Sequence, residues 1–192
     1  MILLHSDIKK VIFESEEILD SCSKLGKLIT DDYKDCKNLI LVALLKGSVP
    51  FVGDLMKKID LNLTVEYMDV SSYHGGMESS GEVKILKDLD TPITNKDVLI
   101  VEDIIDTGKT LKTVISLLKQ RGANSVKVVT LIDKPVGRIV DLEADYIGLE
   151  VGNEFIVGYG LDYNESYRNL DYIGILKEEV YQQEVECEKT KI

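Results

Sequence analysis

The chain has 192 residues, of which 44% are hydrophobic and 30% charged, a composition typical of a globular protein rather than a disordered or fibrous one. Since a domain usually has about 100 to 200 residues, the length favours a single domain over residues 1–192. The 34 Asp and Glu outnumber the 23 Lys and Arg, and the net charge of −11 has the wrong sign for general binding to nucleic-acid phosphates.

The first part of the chain is predicted to form a helix and then a β-α unit. Residues 15–33 are expected to be an amphipathic helix with Ser15 as its N-cap. Its apolar stripe consists of Ile18, Cys22, Leu25 and Ile29. The run Leu39–Leu45 predicts a strand that is buried on both faces, and Pro50 suits the first turn of the helix that follows. The buried face of that helix would consist of Phe51, Val52, Leu55, Met56 and Ile59.

The rest of the chain alternates strands with polar segments and one further helix. Residues 63–70 predict a strand, and residues 71–81, seven of which are Ser or Gly, predict an exposed loop. A strand over Val98–Val101 leads through a polar turn, Glu102–Thr110, into a helix that ends at Gly122. The apolar side of this helix would be Leu111, Val114, Ile115 and Leu118. Further strands are predicted at 126–132, 145–149 and 155–159.

This alternation of strands and helices favours right-handed β-α-β crossovers. We therefore expect an α/β protein with a mainly parallel sheet that helices cover on both faces. Ligands of such sheets bind beyond the carboxyl ends of the strands, so the polar residues that follow the buried strands are the candidates for function.

Apolar runs are too short for a membrane helix. The longest, Leu39–Leu45, has seven residues, whereas a membrane helix needs about 20. Asp7, Lys9 and Lys10 interrupt the region where a secretion signal would need a continuous apolar stretch. The three cysteines form no C-x-x-C pair and support neither a disulfide framework nor a zinc site. We expect a cytoplasmic protein that binds no membrane and no nucleic acid.

Residues 102–110 combine carboxylates with a predicted helix start. They read Glu-Asp-Ile-Ile-Asp-Thr-Gly-Lys-Thr, and backbone N–H groups at a helix N-terminus, with Gly108 allowing close approach, can hold a phosphate. From the residues alone, a simple cap at Thr107 and a phosphate site stay open. A Walker P-loop, and with it nucleoside triphosphate hydrolysis, is disfavoured because its first Gly would fall at position 103, which is Asp103.

The same segment, an apolar strand followed by Glu-Asp, two apolar residues and Asp-Thr-Gly-Lys-Thr, resembles the signature of the type I phosphoribosyltransferases, which bind 5-phosphoribosyl 1-pyrophosphate. The resemblance implies their fold, with a core over about 35–150, a small hood from about 1–14 and 151–180, and a lid loop over 71–81. It implies that Glu102 and Asp103 face the ribose hydroxyls and help to hold Mg²⁺. The 5′-phosphate would be bound by Asp106, Thr107, Gly108, Lys109 and Thr110.

Two lysines at strand ends fit the family pattern. Lys46 and Gly47 resemble the pyrophosphate-binding loop, although the residues alone favour an ordinary strand-to-helix turn. Lys134 is held extended before Pro135 and matches a lysine that donates to the 6-oxo group of the base in the purine-salvage branch, although a solvated side chain is the usual role of such a lysine. An ammonium group only donates, so it would favour hypoxanthine or guanine over adenine.

Residues 155–168 begin with Phe-Ile-Val-Gly-Tyr-Gly-Leu-Asp-Tyr-Asn-Glu and closely resemble the segment that defines the hypoxanthine-guanine phosphoribosyltransferases. Without that resemblance they would indicate only a strand with a glycine bulge. The resemblance implies that Phe155, Ile156 and Asp162 bind the purine, with Phe155 stacking on it and the backbone of Ile156 reading its edge. It also implies that Asp162 ligates Mg²⁺ and that the planar fork of Arg168 clamps pyrophosphate.

The function implied by the resemblance is purine salvage. A Mg²⁺-dependent homodimer or homotetramer would convert hypoxanthine, and also guanine, with phosphoribosyl pyrophosphate to IMP or GMP and pyrophosphate. Asp106 would be the general base and acid at purine N7, and Ser72 and Tyr73 would belong to the lid. Two rivals stay open: a nucleic-acid-binding regulator on this fold, against which the net charge argues, and an enzyme for another base such as adenine, orotate or uracil, against which Lys134 with Phe155 argues.

Overall fold

The computed structural model of the chain describes residues 5–72 and 83–182. Nine strands in this part of the chain form two sheets, and the helices pack against the larger sheet. The strands are β1 (Ile8–Phe13), β2 (Leu39–Leu44), β3 (Leu63–Ser72), β4 (Val83–Lys87), β5 (Asp97–Ile105), β6 (Ser125–Asp133), β7 (Tyr146–Glu150), β8 (Ile156–Val157) and β9 (Ile173–Leu176). The helices are α1 (Ser15–Tyr33), α2 (Val49–Leu55) and α3 (Lys109–Gln120), and residues 178–182 are also helical.

The larger sheet has six strands in the order β4-β3-β2-β5-β6-β7, and all of its neighbouring strands are parallel except the edge strand β4. Its central strands are apolar on both faces because both faces are covered. On one face, Leu41 and Leu99 pack with residues of α1 and α2. On the other face, Ile40 and Ile100 pack with residues of α3. The predicted α/β class, with helices on both faces of a mainly parallel sheet, is confirmed.

The smaller sheet is antiparallel, with the order β1-β9-β8. It joins segments from the two ends of the described chain, which are the segments that the resemblance assigns to the hood. The chain that follows β8 reaches the carboxyl end of β2, where Gly160 packs against the carbonyl group of Gly47.

No described helix is long and apolar enough to cross a bilayer.

Two details of the predicted helices differ from the structure. The bounds of α1 agree with the prediction, but its N-cap is Glu14, whose capping box with Glu17 makes Ser15 the first helical residue. Met56 is exposed rather than buried, because α2 ends at Leu55 and the chain tightens into a 3-10 turn over Met56–Lys58.

Two strands extend at least two residues beyond their predicted ends, whereas β8 covers only Ile156–Val157 of the strand predicted at 155–159. β5 continues through Glu102 and Asp103 to Ile105, since its pairing with β6 extends as far as Ile105 and Asp133. The polar turn that the sequence predicts over 102–110 is therefore confined to the residues after Ile105. Ser71 and Ser72 belong to β3 because they pair with β4, and the rest of the predicted lid loop, including Tyr73, lies outside the described residues.

The packing of α1 predicts different costs for two leucines of the same helix. Leu25 is 2% exposed and lies in the core, whereas Leu28 is 54% exposed. We expect Leu25→Ala to lower the free energy of unfolding by about 2 to 5 kcal/mol, because it leaves a cavity, and Leu28→Ala to change it by less than about 0.5 kcal/mol. Urea unfolding followed by circular dichroism measures the free energy of unfolding of both variants. Equal losses of stability would contradict the finding that Leu25, and not Leu28, lies on the buried face of α1.

Candidate active site

A short loop connects β5 to α3 and exposes the start of the helix. Asp106, Thr107 and Gly108 are its only residues. Gly108 is the N-cap, with a left-handed φ of 77° that favours glycine, and no side chain caps the helix, so Thr107 does not have the capping role. The first backbone N–H groups of α3 have no acceptor within the helix. A cavity of about 150 Å³ borders this loop and is lined by residues that include Glu102 and Thr110. The loop therefore can bind an anion.

Arg138 holds this loop in place through hydrogen bonds to its backbone, and no motif in the sequence indicates that role. Its Nε donates to the carbonyl oxygen of Asp106 at 2.9 Å and its Nη2 to that of Ile105 at 3.1 Å. It also donates to the carbonyl oxygen of Leu142 and to the carboxylate of Asp133. A planar guanidinium with four acceptors fixes the path of the chain between β5 and α3.

Glu102 and Asp103 place two carboxylates on opposite sides of β5, since consecutive residues of a strand point to opposite faces. Glu102 lines the cavity at the phosphate loop, and the carboxylate of Asp103 lies against Gly47. Burial, and then the charge of Asp103, raises the pKa of Glu102 well above its usual value, and burial raises the pKa of Asp103 to about 6. The neighbouring cations pair with other carboxylates, as seen at Lys46, Lys134, Arg138 and Arg168. Neither Glu102 nor Asp103 forms an ion pair with a described cation, although the charge of Arg168 offsets part of the effect of burial on the pKa of Asp103.

The three residues predicted to bind pyrophosphate lie together. The Leu45–Lys46 peptide bond is cis, and Lys46 Nζ lies 2.9 Å from a carboxylate oxygen of Glu165. Arg168 Nη1 donates to the carbonyl oxygen of Gly160 at 2.7 Å, and Gly160 in turn packs against Gly47. The Nε of Arg168 is buried without a hydrogen-bond partner, which leaves one donor for a ligand.

Two of the residues predicted to bind the base, Lys134 and Phe155, are also neighbours. Lys134 is 14% exposed, which excludes a fully solvated side chain, and its Nζ donates to the carbonyl oxygen of Glu154 at 3.2 Å. The same Nζ lies 4.0 Å from the carboxylate of Asp106. Phe155, next to Glu154, is stacked on Tyr181 with a ring separation of 5.0 Å, so this ring has one face covered by the C-terminal segment.

The remaining residues predicted to belong to the site differ in burial and in their contacts. Ile156 is a buried residue of β8, where it pairs with Ile175 of β9. Lys109, which the resemblance places among the phosphate-binding residues, is exposed at the start of α3. Asp162 accepts a hydrogen bond from the backbone N–H of Glu165 at 2.9 Å and forms an ion pair with Arg168 at 2.9 Å. The described residues contain no group of three His, Cys, Asp or Glu side chains that could hold a metal ion by themselves.

Comparisons with known proteins agree on one family. The family model for the phosphoribosyl transferase domain matches residues 10–164. A hypoxanthine-guanine phosphoribosyltransferase of Streptococcus mutans is 58% identical over 179 residues, which cover 93% of this chain and 99% of the relative. A solved hypoxanthine phosphoribosyltransferase of Staphylococcus aureus is 54% identical, with a TM-score of 0.89 over 93% of this chain and 96% of that one. A variant of the Trypanosoma cruzi enzyme, complexed with the product IMP, is 38% identical, with a TM-score of 0.89 over 95% and 98%.

The burial of Asp103 predicts a pH-dependent stability of the ligand-free protein. Its pKa of about 6 in the folded chain exceeds the ordinary value of 3.8, so the folded state opposes ionisation and stability is lost as the pH rises through about 6. The loss begins near pH 3.8, where the unfolded chain ionises, and is complete above about pH 6, so we expect Asp103→Asn, measured with a chelator, to raise Tm clearly more at about pH 7.5 than at about pH 4.5. The exposed Asp31→Asn is the control, and a shift of Tm for Asp103→Asn that is equal at both pH values would contradict the burial cost.

Proposed function

The chain belongs to the phosphoribosyltransferase family, among the hypoxanthine-guanine phosphoribosyltransferases, and we propose that it transfers the 5-phosphoribosyl group of phosphoribosyl pyrophosphate to hypoxanthine and guanine. The products are IMP or GMP and pyrophosphate. One observation carries this function: the predicted phosphate, ribose, pyrophosphate and base residues form a connected set at the carboxyl edge of the sheet. Asp103 touches Gly47, Gly47 touches Gly160, and Asp106 lies 4.0 Å from Lys134.

We assign the 5′-phosphate to the loop between β5 and α3. The helix N-terminus supplies free N–H groups and a partial positive charge, both of which favour an anion. The hydroxyls of Thr107 and Thr110 can donate as well, while Lys109 points into solvent and contributes mainly long-range charge. The ribose then lies over Glu102 and Asp103, whose carboxylates can accept hydrogen bonds from its hydroxyls. Their negative charge also stabilises the positive charge that develops on the ribose ring as the C1–pyrophosphate bond breaks.

The acidic residues fit a Mg²⁺ ion that arrives with the substrate. Magnesium is usually bound through one or two carboxylates together with substrate phosphates and waters. Glu102 and Asp103 form no ion pair among the described residues, and Asp162 has further lone pairs besides those used by Arg168 and Glu165. When bound, the ion supplies positive charge to the leaving pyrophosphate. Lys46, the N–H groups at Gly47 and the free Nε of Arg168 add donors on the same side.

We assign the base to the space between Lys134 and Phe155. Phe155 forms a T-shaped pair with Tyr163 and is stacked on Tyr181, so its ring has a fixed plane on which a purine can stack. Lys134 would donate to the 6-oxo group, and the backbone of Ile156 would read the edge of the ring. Asp106, exposed beside Lys134, is the group that can take the proton from purine N7 and return it.

A base-competition assay tests this function. The full chain is incubated with phosphoribosyl pyrophosphate, Mg²⁺ and one base at a time, and nucleotide is followed by chromatography. We expect product with hypoxanthine and guanine and none with adenine, uracil or orotate, because Lys134 offers only donors to position 6. Excess chelator is expected to abolish turnover. A preference for adenine or a pyrimidine would contradict the base assignment, and full activity in chelator would contradict the role of Mg²⁺.

If Asp106 is the general base, its substitution should lower kcat far more than it weakens the binding of phosphoribosyl pyrophosphate. Asp106→Asn removes the base but keeps the size of the side chain and the loop, so kcat should fall by about 10² to 10⁴, while the Kd of phosphoribosyl pyrophosphate should change by only a few fold. Steady-state kinetics and calorimetric titration measure the two quantities. The exposed Asp141→Asn is the control for loss of one charge, and equal losses of kcat and affinity in Asp106→Asn would remove Asp106 from the chemical step.

A further inference from the structure

Glu165 joins the two cations that the proposed function assigns to pyrophosphate. One oxygen of its carboxylate lies 2.9 Å from Lys46 Nζ, and the other lies 3.2 Å from Arg168 Nη2. The two cations come from distant parts of the chain, and Glu165 is the described side chain that pairs with both of them. Their charges hold the pKa of Glu165 below its usual value, in agreement with a carboxylate that stays ionised.

The backbone fixes Glu165 at this position. Asn164 and Glu165 both have left-handed backbone angles, with φ of 50° and 63°, which are uncommon for residues other than glycine. The N–H of Glu165 donates to a carboxylate oxygen of Asp162 at 2.9 Å, and the flanking residues Tyr163 and Ser166 form an isolated β-bridge. A strained backbone of this kind persists where its surroundings determine it, and such positions often have a functional reason.

The ion pair between Glu165 and Lys46 is exposed, so an anion of higher charge can displace the carboxylate. The side chains of Glu165 and Lys46 are 64% and 61% exposed, and ion pairs this exposed contribute little to stability. Pyrophosphate carries more negative charge than a carboxylate and presents more oxygens to a guanidinium and an ammonium group. Without ligand, Glu165 and Asp162 together neutralise Lys46 and Arg168, so these four side chains have no net charge to attract the substrate.

We propose that Glu165 is a positioning residue that takes the place of the pyrophosphate group in the ligand-free enzyme. Its carboxylate keeps Lys46 and Arg168 in place, moves away when phosphoribosyl pyrophosphate binds, and returns when pyrophosphate leaves. Because the substrate must break the ion pairs of Glu165 with Lys46 and Arg168, these pairs reduce its affinity. Because the pairs form again when pyrophosphate leaves, they favour its release. This inference rests on the assignment of Lys46 and Arg168 in the proposed function.

Neutral substitution of Glu165 tests the proposal by direct binding. Calorimetry gives the Kd of phosphoribosyl pyrophosphate with Mg²⁺ and no base, for the full chain and for Glu165→Gln. We expect binding to become about two- to fivefold tighter, which corresponds to about 0.4 to 1 kcal/mol, the range of an exposed ion pair. The Kd of IMP should stay unchanged, since IMP has no pyrophosphate group. A purely structural role of Glu165 would change both ligands alike.

Two further variants control for the loss of a negative charge elsewhere on the surface and for misfolding of Glu165→Gln. Glu16→Gln removes one exposed negative charge on α1 and should leave both Kd values unchanged. Glu165→Asn is a second neutral variant, suited to a positive φ, if the Gln variant does not fold. Equal or weaker binding of phosphoribosyl pyrophosphate in the neutral variants, or a parallel change for IMP, overturns the proposal. Failure of the unaltered chain to bind phosphoribosyl pyrophosphate would instead contradict the proposed function.

Discussion

The structure depends on two carboxylates that the fold keeps half-buried without an ion pair to any cation in the described part of the chain. Strand pairing carries β5 past its apolar part as far as Ile105, and this places Glu102 and Asp103 at the carboxyl edge of the sheet. Their burial raises the pKa of both groups, so ionised carboxylates are costly there until a ligand supplies compensating contacts. In the proposed function, a ribose diol and a magnesium ion are these ligands, and the stability that the ligand-free protein lacks at this edge becomes binding energy for the substrate.

An acidic protein with an anionic substrate needs its few cations in the right places. The chain has a net charge of −11, yet four basic side chains, Lys46, Lys134, Arg138 and Arg168, lie around the site. Local charge and helix dipoles decide binding at short range, where the screened charge of the remaining surface has little effect. Each cation contributes differently, since Arg138 holds the loop, whereas in the proposed function Lys134 faces the base and the other two face pyrophosphate.

Patterns within one element could be predicted from the sequence, whereas contacts between distant residues could not. The bounds of α1 follow from its apolar stripe, and the polar segments after buried strands indicated the candidate site residues, whose roles stay predictions. The end of β5 was predicted too early because Glu102 and Asp103 are polar, although the ladder to β6 keeps them extended. Arg138 bonds to Asp106, 32 residues away, and Glu165 pairs with Lys46, 119 residues away. No local pattern distinguishes such side chains from ordinary surface charges.

The position of the nucleotide phosphate is the most direct test of this arrangement. A crystal structure of the chain with bound IMP should place the phosphate oxygens within hydrogen-bond distance of the N–H groups of residues 107–110, with the ribose over Glu102 and Asp103. A cavity of about 190 Å³ lies at the opposite ends of the strands and is lined by residues that include Lys37 and Lys96. A phosphate bound there, or anywhere other than the start of α3, would contradict the assignment of the site.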